Sequence, residues 1–492
     1  MSRGKIKIHS VKYNFFMNII LKTSTFIFPL ITFPYVSRIL GPGPNGDISF
    51  ATSVISYFSL LAGMGIPSYG VRKCAENRDD INKLSKIIQE LLIINIIFTV
   101  ISYIILICMV IFIPKFSDNA SLLYIMSITI IFSTFGVDWV YQAIEQYDYI
   151  TVRNISFKIV AVILMFVFVH KPSDYVIYAG ITVFGNVGSN ILNLLKLPHF
   201  VTFKRYEVYN LKQHMNPIVM LFLYNATTTI FTNLDQVMLG FMSNSKEVGY
   251  YAATVKIKNI LASLITSLGA VMLPRMSYYL GKGDKKKFSS LVRKSFDFIF
   301  ISAIPVTMYF FIEAKPIIGF LAGPKYYNSV SILRNVLPSI FFIGLSSVTA
   351  WQLLIPLKLE KYTVVGSIFG AIINVVFNML LIPIVGGNGA AFATTVAELC
   401  VLLTHLIVLR KRIVESKLID SNEFIRAVVA AVVATLMLIL FNSKVIFSNL
   451  LVDCVVTGFI YFVIYIVMLL ILKENILIGE MKKFLSNNSI GG

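Results

Sequence analysis

The sequence is poor in the residues that bind metals or form disulfides. It contains four cysteines and five histidines among 492 residues, and they lie far apart along the chain. Metal centres and disulfide frameworks need such residues at short, recurring spacings, so the sequence predicts neither. It also lacks a Gly-x-x-x-x-Gly-Lys-[Ser/Thr] loop, the motif that cradles nucleotide phosphates. We therefore expect no metal and no cofactor.

Apolar residues, in contrast, are in large excess. They make up 57% of the chain, and the mean hydropathy is +0.79. A soluble domain does not need so many uninterrupted apolar runs, whereas a membrane helix needs about 20 such residues. The first run is too long for a signal peptide and lacks a small-residue cleavage site, so we expect it to remain as a helix. The sequence predicts an all-α integral membrane protein with fourteen transmembrane helices, near residues 13–39, 47–71, 88–113, 120–143, 150–170, 174–195, 215–241, 247–273, 292–313, 330–357, 361–383, 388–409, 424–442 and 449–472.

Acidic residues are scarce, and the basic residues are unevenly distributed. The chain has 24 acidic and 43 basic side chains and a net charge of +19. If the N-terminus is cytoplasmic, thirty loop cations, Arg153 among them, fall on the inside and seven on the outside. This asymmetry follows the positive-inside rule and predicts cytoplasmic N- and C-termini. Basic loops beside anionic membrane lipid explain the charge, so no nucleic-acid partner is expected.

A weak internal duplication divides the chain. In both copies an arginine follows the second recurring glycine by 26 residues, at Arg72 and at Arg275. The duplication predicts an N-lobe of six helices (1–200), a C-lobe of six helices (201–418) and an added pair, helices 13 and 14, with a cytoplasmic tail (419–492). An even number of spans in each copy gives parallel repeats and a substrate path between the lobes. The segments that recur are Leu40-Gly41, Gly46 and Phe50-Ala51 in the first copy and Leu239-Gly240, Gly249 and Tyr251-Ala252 in the second.

Two lysines, Lys22 and Lys256, lie deep within predicted spans. A charge at such depth costs about 2.5 to 3.5 kcal/mol on insertion scales, and it usually faces a wet cavity or a partner. Helical spacing places Asn18 on the face of Lys22, and Asn259 on the face of Lys256. These residues are candidates for lining a cavity that binds an anion. A buried ion pair with an acidic residue of helix 4 or helix 7 is the alternative for Lys22.

Other polar residues within or beside the spans have more than one interpretation. Lys258 is two residues from Lys256 and points elsewhere on the helix, toward a partner or an interface. Helix 4 carries Asp138 and Glu145, and helix 7 carries Asp235 beside Asn225 and Thr228. These carboxylates are candidates for binding a coupling ion or for forming structural ion pairs. Substrate contact and lipid-headgroup anchoring both remain open for Arg38 and Arg72.

Several motifs resemble one family of exporters. They are Phe28–Arg38, Tyr57–Gly63, Tyr69–Arg72, Gly136–Trp139 followed by Arg153, Leu234–Gly240 and Leu273–Met276. Together they closely resemble the polysaccharide transporter (Wzx-type flippase) branch of the MATE-like MOP exporter superfamily, over nearly the whole chain. The turn at residues 41–46 departs from the usual pattern, with Pro44-Asn45 where a glycine and an apolar residue are more common.

The resemblance implies a V-shaped exporter and not an enzyme. It implies export of undecaprenyl-pyrophosphate-linked oligosaccharide repeat units across the bacterial plasma membrane by alternating access, for capsule or another surface polysaccharide. A polymerase and other assembly proteins are implied as partners. Coupling to membrane potential, proton or sodium stays open. A multidrug or metabolite antiporter of the same fold is the first alternative, although the deep charges are lysines. A membrane polymerase or ligase is the second, although the predicted outside loops are short.

Overall fold

The computed structural model describes residues 10–415, 418–445 and 447–474, and these parts are helical apart from short connections. The tail beyond residue 474 and the basic residues Arg3, Lys5, Lys7, Lys417, Lys482 and Lys483 lie outside the described residues. The helices are α1 (Val11–Leu40), α2 (Pro42–Gly63), α3 (Ile66–Ala75), α4 (Ile81–Phe112), α5 (Pro114–Asp118), α6 (Ala120–Gly136), α7 (Asp138–Ala143), α8 (Tyr147–Phe168), α9 (Tyr175–Val183), α10 (Asn190–Lys196), α11 (Lys212–Met242), α12 (Ser245–Gly281), α13 (Lys285–Ile312), α14 (Ala314–Leu321), α15 (Ser329–Val336), α16 (Pro338–Ser347), α17 (Lys361–Val385), α18 (Gly387–Glu415), α19 (Ser421–Asn442) and α20 (Leu450–Ile471).

The predicted all-α membrane fold is confirmed. In the described residues, thirteen helical segments are long and apolar enough to cross a membrane. The remaining predicted span is α11, a continuous helix of 31 residues. Its middle carries Asn225, three consecutive threonines (227–229) and Asn233, so it is less apolar than the others.

Two spans contain a break in the helix. Met64 and Gly65 adopt left-handed backbone conformations between α2 and α3, and Val137 does so between α6 and α7. Any β-carbon on Gly65 would lie 2.7 Å from the carbonyl oxygen of Ile218 in α11, so only glycine suits both the conformation and the contact. The breaks give α3 and α7 new starting points, which place Tyr69 and Trp139 in the interior.

The chain forms two compact units, Met1–Gly249 and Tyr250–Gly492. In the first unit α11 packs against α2, although the duplication assigns this helix to the C-lobe. In the second unit α19 and α20, the added pair, pack against α13. The lobe boundaries at 200 and 418 come from the repeated sequence and stay a prediction.

Equivalent glycines of the two repeats meet inside the first unit. A β-carbon on Gly46 would overlap the backbone of Ser245, and one on Gly249 would overlap the backbone of Pro42. The chain can approach itself this closely only where both positions lack a side chain. The recurring glycines of the sequence are thus two sides of one backbone contact.

Candidate functional site

Asp138, at the start of α7, forms an ion pair with the buried Arg153. One carboxylate oxygen accepts hydrogen bonds from Arg153 Nη2 and from Asn193 Nδ2, each at 2.7 Å. Arg153 Nη1 also donates to the carbonyl of Ser189 at 3.1 Å. Arg153 lies within α8 and its side chain is only 2% exposed, so its assignment to a loop was wrong. This carboxylate holds α7, α8 and α10 together, and its ion-pair partner is Arg153, not Lys22.

Glu145 makes a second set of contacts within the first unit. Arg78 Nη1 donates to one oxygen at 2.6 Å, and Asn14 Nδ2 donates to the other at 3.1 Å. Both partners of the Arg78 ion pair are about 30% exposed. These contacts tie the start of α1 to the connections that precede α4 and α8. Water reaches this pair, so its contribution to stability is small.

Asp235 is buried in α11. The neighbouring Gln236 accepts a hydrogen bond from Ser53 Oγ of α2 at 3.2 Å. This contact and the packing of Phe50 against Phe241 fix the second half of α11 to α2. The surroundings of Asp235 are therefore a helix contact within the first unit.

The predicted anion-binding residues lie on both units. Lys22 is exposed on α1, and no described carboxylate forms an ion pair with it. Asn18, one turn earlier, is half-buried. On α12, in the second unit, Lys256 and Asn259 are exposed and Lys258 is half-buried. Both deep lysines thus keep accessible side chains.

The two predicted arginines stand near helix ends. Arg38 is exposed in the last turn of α1. Arg72 is exposed in the last turn of α3, with its guanidinium carbon 5.8 Å from the ring centre of Tyr69. Their positions suit either headgroup contact or substrate contact.

Sequence reasoning missed a fourth lysine within a predicted span, besides Lys22, Lys256 and Lys258. Lys158 is half-buried at the middle of α8, about 16 Å from its start at 1.5 Å per residue. Its Nζ donates to Ser24 Oγ at 3.3 Å and lies 5.6 Å from the ring centre of Phe28. Among the described residues no carboxylate pairs with it. The position of Lys158 inside the predicted span 150–170 was a usable signal.

The first unit also contains a cavity of about 710 Å³, a volume within the range of small-molecule sites. It lies between α2, α6, the α9 region and α11. None of the lining side chains is charged, and eleven carry a hydroxyl or an amide. None of the residues predicted for the site lines it. The lining residues are Thr52, Ile55, Ser56, Ser59, Leu60, Met126, Thr129, Thr182, Val183, Asn186, Tyr224, Asn225, Thr228, Thr229 and Asn233.

The hydrogen bonds at the cavity wall leave polar atoms free to bind a ligand. Thr52, Ser56 and Thr182 each donate their hydroxyl hydrogen to a carbonyl four residues earlier, at 2.7 to 2.9 Å. A hydroxyl oxygen that donates in this way still accepts. The side-chain amides of Asn186 and Asn225 have no hydrogen-bond partner among the described residues. The wall can therefore both accept from and donate to the hydroxyl groups of a neutral ligand.

A different surface, strongly basic, joins α12 to α13 in the second unit. Cavities of about 470 and 400 Å³ are lined there by Arg275, Tyr278 and Tyr279 and by Lys285 and Arg293, with other residues. The backbone N–H of Lys287 and the nearby lysine side chains hold the pKa of Asp284 below its ordinary value. This connection supplied the largest group of predicted inside cations, and its charge suits anionic headgroups.

Comparison with known proteins identifies the family. A candidate O-antigen transporter of Escherichia coli (strain K12) is 23% identical over 354 residues, 72% of this chain and 85% of that protein. One of Shigella dysenteriae is 22% identical over 409 residues, 80% of this chain and 99% of that protein.

Solved structures show the same fold. The lipid II flippase MurJ, in an inward closed conformation, matches with a TM-score of 0.75 at 16% identity, over 94% of this chain and all of that chain. An inward-facing multidrug resistance MATE family transporter of the MOP superfamily matches with a TM-score of 0.62 at 13% identity, over 79% of this chain and 95% of that one.

The MatE family matches residues 221–380, and the Polysaccharide biosynthesis protein family matches residues 11–280, more than half of the chain. The chain therefore belongs to the polysaccharide biosynthesis protein family, within the MATE-like exporter superfamily that its motifs predicted.

Proposed function

We propose that this protein is a flippase for undecaprenyl-pyrophosphate-linked oligosaccharide repeat units, which it moves from the inner to the outer leaflet of the bacterial plasma membrane. The uncharged cavity of the first unit carries the proposal. A wall of hydroxyls and amides among membrane helices replaces the hydration shell of a sugar, which could not otherwise enter hydrocarbon. The names of the relatives, O-antigen transporter and lipid II flippase, support a lipid-linked saccharide as the substrate.

The charged part of the substrate needs different chemistry. A pyrophosphate is stabilised by cations that no carboxylate neutralises, and Lys22 meets this condition within the described residues. Lys256, Asn18 and Asn259 are the other proposed contacts, and Arg38 and Arg72 would receive the headgroup near the helix ends. The polyprenyl tail stays in lipid throughout. The lysines bind phosphate, and the cavity binds sugar.

Outward transfer has a plausible driving force in the membrane potential. Moving one negative charge outward across a membrane that is negative inside releases about 2.3 kcal/mol per 100 mV. Alternating access by the two repeats would expose the site first to the cytoplasm and then to the outside. Capsule or another surface polymer is the product we propose, with the polymerase and assembly proteins as downstream partners.

A multidrug antiporter of the same fold is the second candidate. The match of the MatE family to residues 221–380 is the observation in its favour. A site for cationic drugs would be expected to present carboxylates, whereas no residue lining the cavity is acidic. An enzyme is less consistent still, because the relatives named above are transporters and flippases.

The decisive experiment measures lipid-linked repeat units in cells that lack the chromosomal copy of the gene. Wild-type protein should restore surface polymer, whereas Lys22→Ala and Lys256→Ala should accumulate repeat units inside the cell at normal protein abundance. Lys325→Ala, at an exposed loop lysine, is the matched control. Normal polymer in both lysine variants would remove the phosphate contacts. Drug export without any change in repeat units would favour the antiporter.

A further inference from the structure

Three titratable side chains form a buried hydrogen-bonded network in the first unit, the Tyr69–His214–Glu90 network. Tyr69 Oη of α3 lies 2.8 Å from His214 Nδ1 of α11, and His214 Nε2 lies 2.9 Å from Glu90 Oε2 of α4. His214 is fully buried, and Glu90 is 1% exposed. The surrounding core includes Ile66, Leu91 and Ile218, with Trp139 close by. Both ring nitrogens of one histidine are thus engaged in an apolar region.

The contacts of Glu90 indicate a charged carboxylate. One oxygen accepts from the backbone N–H of Asn210 at 2.8 Å, and the other accepts from Gln213 Nε2 at 3.1 Å as well as from His214. Hydrogen bonds donated to a carboxylate favour its ionised form. His214 then carries a proton on Nε2, because a carboxylate can only accept. This assignment leaves Nδ1 as the variable position.

The network can accept one more proton without losing a contact. With a neutral ring, Tyr69 donates its hydroxyl hydrogen to Nδ1. With a protonated ring, Nδ1–H donates to the Tyr69 oxygen, and the hydroxyl hydrogen turns away. The two states differ by one unit of charge in an apolar core, where a net charge is poorly solvated. Proton uptake by His214 would therefore bring the net charge of the Tyr69–His214–Glu90 network to zero.

Charged groups near the Tyr69–His214–Glu90 network lie on α3, α4 and α11. The guanidinium carbon of Arg72 is 5.8 Å from the Tyr69 ring centre, and Lys73 pairs with Glu76 at 3.3 Å. Glu90 is the charged contact from α4, and Lys212 opens α11 itself.

The Tyr69–His214–Glu90 network holds the beginning of α11 against α3 and α4. The connection before it is bound along α4, where Gln89 Nε2 donates to the carbonyl of Thr202 at 2.8 Å and Tyr209 donates to Gln89 Oε1 at 2.7 Å. Three residues after His214 comes Pro217, which has no N–H to continue the helical bonding and permits a bend. One continuous helix then runs from this point to the cavity wall, which begins at Tyr224.

We propose that His214, between Glu90 and Tyr69, is a proton-binding site whose occupancy determines how α11 is held against α3 and α4. Because α11 forms one wall of the uncharged cavity, protonation would alter the shape of that wall. The site thus provides a route by which pH or a proton gradient acts on transport, and this last step rests on the proposed function. Proton binding itself is independent of the substrate.

The direct test is NMR of the purified full-length protein in nanodiscs, with ¹⁵N-labelled histidine. The chain has five histidines, so the His214 signals are assigned by their loss in His214→Gln. We expect the ring to change from one to two bound protons when the pH is lowered from 8 to 5. In Glu90→Gln the ring should stay neutral over that range. A wild-type His214 ring in one protonation state throughout would overturn the proposal, whether or not the variants fold.

Transport gives the second arm. Proteoliposomes loaded with a synthetic polyprenyl-pyrophosphate saccharide should show a rate that changes severalfold between pH 8 and pH 5.5, and His214→Gln should flatten this profile. His170→Gln, at an exposed histidine, should keep it. A ring that titrates together with identical wild-type and His214→Gln profiles would overturn the link to transport. A wild-type protein that moves no lipid-linked saccharide would instead count against the proposed function.

Discussion

Two regions of the first unit use the same kinds of polar residue for different purposes. Around Asp138 the polar side chains of three helices meet one another, with hydrogen bonds of 2.7 Å and an arginine that is almost fully buried. At the 710 Å³ cavity, the amides of Asn186 and Asn225 face open space. Polar groups inside a membrane protein hold helices together where they find partners in the chain, and they are available to a ligand where they do not.

Replacing Arg153, in the cluster around Asp138, should have the largest effect on stability. Arg153→Leu leaves the Asp138 carboxylate without its cation, and breaking a buried pair costs about 3 to 5 kcal/mol. Asp138 is 40% exposed, so we expect a loss between this range and the at most about 1 kcal/mol of an exposed pair, about 2 kcal/mol. The melting temperature in detergent and the abundance in membranes should both fall.

Two further variants control this prediction. Arg78→Leu breaks a pair that is about 30% exposed on each side, and it should cost at most about 1 kcal/mol. The double variant Asp138→Leu/Arg153→Leu should recover part of the loss, because it removes both charges. If Arg153→Leu melts with the wild type, the cluster around Asp138 does not stabilise the fold.

Sequence alone predicted the helices because each membrane span is one contiguous apolar stretch of sequence. All fourteen predicted spans correspond to helices, and periodicity placed Asn225 and Thr228 of α11 on one polar face. It could not assign Arg153, because a boundary error of a few residues moves a cation from a loop into a helix. It gave no partner for Asp138, since periodicity fixes a face but not the neighbouring helix. The cavity was not singled out as the site, because charge, and not hydroxyl density, was taken as the sign of a site.

Lys158 separates the two categories, because it has a hydroxyl partner but no described carboxylate. Lys158→Met removes the cation and keeps the side-chain length. If the cation contributes to phosphate binding, a charge-assisted hydrogen bond of about 1.5 to 3 kcal/mol is lost, which lowers export roughly tenfold or more. Stability should not fall comparably, because burying the charge is itself costly.

The measurement for Lys158 is export of repeat units at matched protein abundance. Lys158→Arg should keep most of the activity because it retains the charge. Equal export by Lys158→Met and wild type would show that Lys158 only holds α8 against α1 and does not bind substrate.

Variants in the cavity should affect transport with little effect on stability. Asn225→Ala and Asn186→Ala each remove an amide that has no described partner in the protein, so the melting temperature should change little. Each should weaken sugar binding by about 1 kcal/mol, or roughly fivefold. Thr227→Ala, on α11 but outside the lining, is the control. A fall in melting temperature with unchanged transport would move the cavity into the structural category.

The smallest expected effect concerns Glu313 at the end of α13, a closed contact in the second unit and outside the membrane spans. Its carboxylate accepts from Asn442 Nδ2 at 2.6 Å, and burial raises its pKa above the ordinary value. An acid whose pKa is raised by folding stabilises the folded state below its unfolded pKa, near 4.3, and that contribution is lost as pH rises through the folded value. Glu313→Gln keeps the acceptor for Asn442 and has no charge to bury. We therefore expect the variant to melt at or slightly above the wild-type temperature at pH 7.5, with a smaller difference at pH 4.5. A variant less stable than wild type at pH 7.5 would show that the Glu313 charge is needed, and that this contact resembles Asp138 more than a tolerated buried acid.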